Sequence, residues 1–149
     1  MQELHERSLR GMSAPWGYPW LERSAMRAVD TNVVVRLITR DDEKQYQRAT
    51  LLGLIWVSHL VLLETVWVLQ KSYDFEPERV FGAVDGLLKH EQVVLEEPLV
   101  VQAVLRRLFQ NLKLDFADVL ILEVARAANR GPLFTFDKAL AKVDGVQMV

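Results

Sequence analysis

The sequence contains no cysteine and carries little net charge. Without cysteine there are no disulfides and no thiolate ligands for a metal, and this suits a reducing compartment such as the cytoplasm, where we expect the protein. Lys and Arg number 18 against 20 Asp and Glu, so the net charge of −2 gives no overall basic field that would indicate a polyanionic partner. Half of the 149 residues are hydrophobic and 26% are charged, which is typical of one folded domain rather than a disordered chain.

Long uninterrupted hydrophobic runs are also missing. The most apolar stretch, residues 49–69, contains His59 and Glu64. A charged carboxylate near the middle of a bilayer would cost roughly 2.5–3.5 kcal/mol. We therefore interpret this stretch as a buried strand followed by a buried helix, not as a membrane span. Residues 1–25 contain no continuous apolar segment of the kind found in secretory signals.

Residues 1–25 differ from the rest of the chain because they show neither a helical nor a strand period. Met26 directly precedes the first strand-like run. We expect the functional domain to occupy residues 26–149 and residues 1–25 to be an N-terminal extension. That extension is either a non-native addition or a docking arm anchored by Trp16, Tyr18 and Trp20.

From Met26 onward, short apolar runs alternate with helical patterns. Strands are predicted at residues 27–30, 55–58, 93–95, 133–135 and 146–149. Helices are predicted at residues 33–38, 42–52, 59–71, 77–88, 98–109, 115–129 and 138–143. This alternation predicts an α/β fold, a three-layer α/β/α sandwich with a mostly parallel central sheet.

Three aspartates fall at or near the carboxyl ends of predicted strands. Asp30 ends the first strand, Asp137 follows "LFTF", and Asp118 lies in the first turn of the helix predicted at residues 115–129. Ligands of open parallel sheets bind outside these strand ends, so we expect the three side chains to converge. A simpler interpretation is also open. Asp30 and Asp137 would cap the helices that follow them, and Asp115 and Asp118 are spaced like an N-cap and an N3 residue.

A fourth acid, Glu64, lies inside the helix predicted at residues 59–71. Its neighbours three and four positions away are all apolar: Leu60, Val61, Trp67 and Val68. We therefore expect Glu64 to lie on a buried face, with Trp67 in the core. A buried carboxylate needs an Arg partner, a hydrogen-bond network or a cation, and the sequence leaves these alternatives open.

Taken together, these acids indicate a hard metal ion. Carboxylates that share a pocket repel each other unless positive charge lies among them. Oxygen-only ligands, without a paired-His or Cys pattern, suit Mg²⁺ or Mn²⁺. Such an ion lowers the pKa of a bound water to make a nucleophile, and it neutralises a phosphodiester during in-line displacement. Thr31, Asn32 and Thr135 lie beside the acids and offer hydrogen bonds that would orient ligands or water.

Four motifs carry a resemblance to a known family: AVDTNVVVRL, VLLETVWVL, DFADVLILEVARAANRG and LFTFDKAL. In this order and spacing, over about residues 26–149, they resemble the acidic motifs of PIN domains, and in particular those of the VapC-type toxins of bacterial toxin–antitoxin pairs. The resemblance implies a Mg²⁺- or Mn²⁺-dependent endoribonuclease that forms a homodimer and is inhibited by a VapB-type antitoxin. Carried over to this sequence, the metal-binding and catalytic acids are Asp30, Glu64, Asp118 and Asp137, with Thr135 as the supporting hydroxyl and Asp115 as a further outer member.

The surface that would bind RNA is less well marked. Candidate phosphate contacts are Arg36, Arg40, Lys113 and Arg126, although exposed helix faces carry such charges in many proteins. Trp56 lies in an apolar run and is predicted to be a core residue rather than a base-stacking platform. His59, at a strand–helix junction, is predicted to be structural rather than a general base.

Other functions remain open at this point. The chain could be a PIN-like RNA-processing nuclease outside a toxin–antitoxin pair, or a catalytically silent module that binds RNA or protein. A receiver-type phosphoacceptor domain also has an acidic Mg²⁺ pocket, but it would need paired acids after the first strand and a Lys after the fifth. Here Asp30 is followed by Thr31 and Asn32, and "TFD" contains no Lys, which disfavours this alternative.

Overall fold

The computed structural model of the protein describes residues 26–149. Its strands are β1 (Arg27–Ala28), β2 (Ile55–Val57), β3 (Val93–Leu95), β4 (Leu133–Thr135) and β5 (Val146–Met148). Its helices are α1 (Thr31–Thr39), α2 (Glu43–Thr50), α3 (His59–Lys71), α4 (Pro77–Lys89), α5 (Pro98–Gln110) and α6 (Phe116–Ala127), and a short 3₁₀ helix spans Leu140–Lys142. The extension predicted at residues 1–25, with its docking-arm alternative, lies outside the described residues.

All strand pairs among the described residues are parallel. Strands β1, β2 and β3 form one sheet in that order, with Ala28 opposite Trp56 and Trp56 opposite Val94. Strands β4 and β5 form a separate pair, with Leu133 opposite Val146. The predicted α/β fold with parallel strands is confirmed. The strands do not make one continuous sheet, however, because β4 takes its strand partner from β5 and not from the two-residue strand β1.

One face of the three-stranded sheet packs against the main hydrophobic core. Ile55 and Val57 of β2 and Val93 and Leu95 of β3 are buried there. These residues alternate along their strands, and alternate side chains of a strand point to the same face. The residue between them in β2, Trp56, is half-buried, so the prediction that it belongs to the core is only partly met.

Helix α5 packs against both α4 and α6, and aromatic rings fill the space between them. Phe81 of α4 stacks on Phe116 at the start of α6, with ring centroids 6.4 Å apart. The rings of Phe109 of α5 and Phe81 are nearly perpendicular, with centroids 6.2 Å apart. Burial of a Phe side chain contributes about 1.5–3 kcal/mol. These contacts therefore hold the first turn of α6, which carries Asp118, in a defined position.

Local signals explain where the helices begin. Ser58 accepts a hydrogen bond from the Val61 N–H at 3.2 Å and caps α3. Pro77 and Pro98 occupy the first positions of α4 and α5, where a missing N–H costs no helical hydrogen bond. The predicted starts of these three helices are confirmed. The helix predicted at residues 138–143 is only the 3₁₀ turn Leu140–Lys142.

Two polar networks join separate elements. Glu123 of α6, only 8% exposed, accepts a hydrogen bond from Arg107 of α5. Arg36 of α1 donates to Asp41 at 3.1 Å and to the Tyr73 hydroxyl at 3.0 Å, while Tyr73 donates to Asp41 at 2.6 Å. The second network ties the end of α1 to the segment after α3.

No helix within residues 26–149 is long and apolar enough to cross a membrane.

Candidate metal centre

Asp30 lies between β1 and α1, as the sequence predicts. Its backbone is extended, with φ −90° and ψ 177°, and its Oδ1 accepts a hydrogen bond from the Val33 N–H at 3.3 Å. Asp30 is therefore the N-cap of α1. The side chain is exposed, and the cap engages only Oδ1, which leaves Oδ2 for another partner. Capping and metal binding are compatible at this residue.

Asp137 caps the segment that follows β4. Its Oδ1 accepts hydrogen bonds from the N–H groups of Ala139 at 2.7 Å and Leu140 at 3.1 Å. Its own N–H donates to the Thr135 hydroxyl oxygen at 3.0 Å. The predicted supporting hydroxyl thus contacts the backbone of the predicted acid, and Oδ2 of Asp137 is again not used by the cap.

Asp115 and Asp118 begin α6. Asp115 is the N-cap, and its Oδ1 accepts a hydrogen bond from the Asp118 N–H at 3.2 Å. Burial raises the pKa of the Asp118 carboxyl above its ordinary value, and the negative charges of Asp115 and then Asp137 raise it further. The structure therefore brings the acids of the last two motifs within electrostatic reach of one another.

Glu64 corrects the sequence interpretation. Its side chain is exposed rather than buried, and Trp67, predicted to be a core residue, is 58% exposed. The buried residues of α3 are Leu62, Thr65, Val66 and Leu69. Because α3 is apolar on nearly every side, the sequence does not show which face turns inward. An exposed carboxylate is solvated by water and needs no compensating partner. The exposure of Glu64 therefore removes the argument that its burial requires a cation.

The donor chemistry of the site fits a hard divalent ion. Asp115, Asp118 and Asp137 offer only oxygen, and burial together with the two neighbouring charges disfavours the ionised form of Asp118, which a cation would favour. Within residues 26–149, no three His, Asp or Glu side chains lie close enough together to form a ready metal-binding group. Asp30 and Glu64 are not among the groups that raise the pKa of Asp118.

The other predicted site residues occupy varied environments. Thr31 is buried in the first turn of α1, next to the exposed Asn32. Among the candidate phosphate contacts, Arg36 is engaged by Asp41 and Tyr73, whereas Lys113 is exposed in the loop before α6.

The other two candidate phosphate contacts, Arg40 and Arg126, interact with neighbouring side chains at longer distances than Arg36 does. Arg40 lies over the Tyr46 ring at 4.6 Å, and Arg126 lies 3.9 Å from Glu123 and 4.0 Å from Asp144. His59 donates its backbone N–H to Glu96 at 2.7 Å, and its imidazole Nδ1 lies 3.8 Å from the same carboxylate. That its side chain is structural stays a prediction.

The sequence interpretation passed over Phe136, which lies directly between Thr135 and Asp137. This side chain is 80% exposed, and Phe134, two residues earlier, is 58% exposed. The sequence does not signal this exposure, because the aromatic positions that alternate with polar residues in "LFTFD" would be expected to face inward.

The family model described as PIN domain matches residues 27–146 of the chain. The chain belongs to the PIN domain family. PIN domains are generally nucleases that act on nucleic acid, and they typically use divalent metal ions. A search of curated proteins finds none that matches this chain significantly. The family match includes all four predicted acids, Asp30, Glu64, Asp118 and Asp137.

Proposed function

We propose that this PIN domain is a Mg²⁺- or Mn²⁺-dependent endoribonuclease. The observation that carries the proposal is the PIN family match over residues 27–146, a span that includes all four acidic motifs. Geometry supports it, because Asp118, half-buried at the start of α6, lies within electrostatic reach of Asp115 and of Asp137 beyond the carboxyl end of β4. A folded protein keeps such mutual repulsion at little benefit to its stability. A bound cation would relieve it, because the ion neutralises the oxygens that repel each other.

In this proposal Asp30, Glu64, Asp118 and Asp137 hold the ion. The ion, when bound, supplies an activated water and neutralises charge on the phosphodiester. The protein's own residues position these ligands. Thr135 holds the backbone of Asp137, Asp115 holds the first turn of α6 under Asp118, and the two caps fix Asp30 and Asp137 through one oxygen each. Thr31 and Asn32 would orient ligands or water from the start of α1.

We further propose that the nuclease is the toxin of a type II toxin–antitoxin pair, acts in the cytoplasm on RNA, forms a homodimer, and is inhibited by a VapB-type antitoxin. The four-motif resemblance supports the toxin role. Exposed apolar side chains support the existence of a protein partner, since Leu60 and Trp67 lie seven positions apart on one face of α3.

The decisive experiment compares Asp30→Asn with Asp42→Asn in cleavage of labelled RNA, with Mg²⁺, with Mn²⁺ and with EDTA. Both residues cap helices through Oδ1, Asp30 at α1 and Asp42 at α2, where it accepts from the Gln45 N–H at 2.9 Å. Asn caps as well as Asp, so both variants should fold. Loss of a metal ligand should slow cleavage at least about 100-fold, the upper end reported for outer-shell partners.

The Asp42 variant should cleave at the parental rate. Equal activity of the Asp30 variant and the parent, or cleavage that persists in EDTA, would reject the metal-dependent mechanism. The toxin role is tested separately. Expression of the parent, but not of the Asp30 variant, should arrest bacterial growth, and co-expression of a VapB-type antitoxin that binds the protein should restore it.

A further inference from the structure

Two exposed phenylalanines adjoin the acidic group at the end of β4. Phe136 is 80% exposed and Phe134 is 58% exposed. Phe134 lies in β4, and Phe136 lies in the bend that follows it, directly before Asp137. Leaving a Phe side chain exposed forgoes roughly 1.5–3 kcal/mol of burial, which makes two adjacent cases notable.

The backbone that carries these rings is held on both sides. Before Phe136, the carbonyl of Thr135 accepts a hydrogen bond from the Val149 N–H at 3.0 Å, and the Thr135 hydroxyl accepts from the Asp137 N–H at 3.0 Å. After it, Asp137 accepts the N–H groups of Ala139 and Leu140. The Phe136 ring is therefore presented from a fixed turn, and little chain entropy would be lost when a flat ligand stacks on it.

The position of Phe136 fits a nucleobase. Its Cα lies about 3.8 Å from that of Asp137, as in any trans peptide. A phosphate bound at the acidic group would thus bring the base of a flanking nucleotide within reach of the Phe136 ring. Lys138, exposed on the other side of Asp137, supplies a cation for a neighbouring phosphate. Aromatic rings interleaved with a cation are typical of surfaces that bind single-stranded nucleic acid.

We propose that Phe136, with Phe134 beside it, is a base-stacking platform that selects single-stranded RNA for the acidic site. This inference rests on the proposed nuclease function and specifies its substrate. A duplex hides its base faces, so stacking on Phe136 requires an unpaired nucleotide next to the scissile phosphate. The two rings serve as a positioning surface and take no part in the chemistry.

The test measures binding rather than cleavage. Fluorescence anisotropy is recorded in the Asp30→Asn background with Mg²⁺, using a labelled single-stranded RNA oligonucleotide and the duplex of the same sequence. Phe136→Ala should weaken single-strand binding about 5- to 150-fold, the range for loss of one stacked base. Phe136→Leu should stay weak, because it restores apolar volume without an aromatic face, and Phe136→Trp should bind like the parent.

Leu51→Ala is the matched control. Leu51 is 82% exposed and lies in the loop that leads into β2, away from the carboxyl ends of the strands. Its removal should leave RNA binding unchanged. Thermal unfolding of each variant should match the parent, since the mutated side chains are exposed, and sedimentation of each variant should give the parental oligomeric state.

The possible outcomes separate this inference from the proposed function. If the parent cleaves RNA but Phe136→Ala binds the single strand as the parent does, the platform is rejected and the nuclease stands. A Phe136→Ala variant with unchanged RNA binding but an altered oligomeric state would assign the rings to a protein interface instead. Aromatic-dependent binding by a parent that cleaves nothing would support the platform and reject the nuclease.

Discussion

Asp118, in the first turn of α6, lies within electrostatic reach of Asp137, which follows β4: burial is the main reason that the pKa of Asp118 is raised, and the charges of Asp115 and then Asp137 raise it further. The fold thus brings together two carboxylates whose motifs are separate along the chain. Both belong to the set that the PIN resemblance marks as metal ligands. Their repulsion is a cost to the metal-free protein, and it is the property that a bound cation would convert into affinity.

Asp118→Asn should make the metal-free protein more stable near neutral pH. An Asp with a raised pKa contributes stability that is fully present below its unfolded pKa, about 3.9, and is lost as pH rises through the folded pKa. Asn carries no charge at any pH, so the Asp118→Asn variant does not lose this stability as pH rises. The melting temperature without metal should therefore rise by a few degrees at pH 7 and change little near pH 3.

The same substitution should weaken the stabilisation of the protein by metal. Added Mg²⁺ should raise the melting temperature of the parent through linkage, and should raise that of Asp118→Asn much less. Asp42→Asn is the control, because it makes the same chemical change at a cap remote from α6. A lower melting temperature for Asp118→Asn without metal would show that the carboxylate is stabilised by a partner rather than strained.

Tyr73→Phe should reduce stability at neutral pH but not in strong acid. The Tyr73 hydroxyl, donating at 2.6 Å, is the main reason that the pKa of Asp41 lies below its ordinary value, with smaller contributions from Thr39 and Arg36. A depressed carboxyl pKa gives stability that is present above the unfolded pKa and lost as pH falls through the folded one. Urea unfolding at pH 7 and at pH 2 measures the difference, and an equal loss at both would assign the effect to the hydrogen bond that the Tyr73 hydroxyl accepts from Arg36.

Glu123→Ala should destabilise the protein much more than loss of a surface ion pair. Glu123 is buried and accepts a hydrogen bond from Arg107, so its removal leaves a half-buried guanidinium without its partner. The expected loss is about 2–4 kcal/mol of unfolding free energy, somewhat below that of a fully buried pair. The control Lys89→Ala breaks an exposed pair with Asp85 and should cost about 0.5 kcal/mol. Comparable losses would mean that the Arg107 pair adds little.

Lys113→Ala should lower the salt dependence of RNA binding. Lys113 is exposed in the loop before α6, close in sequence to Asp115 and Asp118. If it contacts one phosphate of a single strand, its removal should reduce the slope of log K against log salt by about 0.7. Binding should weaken to a similar degree for RNAs of different sequence. An unchanged slope would remove Lys113 from the RNA-binding surface.

The fold was largely predictable because local sequence signals mark the ends of its helices and strands. Helix α3 and strands β3 and β4 have the predicted bounds, since Ser58 and neighbouring turns mark their ends. The division of the sheet was not predictable, because alternating strand and helix patterns do not show whether β4 pairs with β1, distant along the chain, or only with its neighbour β5. The orientation of α3 was also hidden, as its apolar residues cover more than one face, and so the exposure of Glu64 and Trp67 required the structure.

The candidate site was predictable in part for a related reason. Asp30, Asp118 and Asp137 lie at strand ends or helix starts that the sequence marks, and the structure places them there. Capping and metal binding were alternative interpretations of the sequence. In the structure each cap uses only the Oδ1 atom of Asp30 or Asp137, so a capping role does not exclude metal binding. That these acids bind a metal stays a prediction. The exposure of Phe136 could not be read from "LFTFD", because strand alternation does not say which side is covered.

The caps at Asp30 and Asp137 have an evolutionary consequence. Asparagine presents an amide oxygen to the backbone where aspartate presents a carboxylate oxygen, and a single nucleotide change converts an Asp codon to an Asn codon. One mutational step would therefore silence the proposed chemistry while the chain still folds, is expressed and meets its partners. Inactive copies of such a gene would persist as well-formed decoys, distinguishable from active ones at only a few codons.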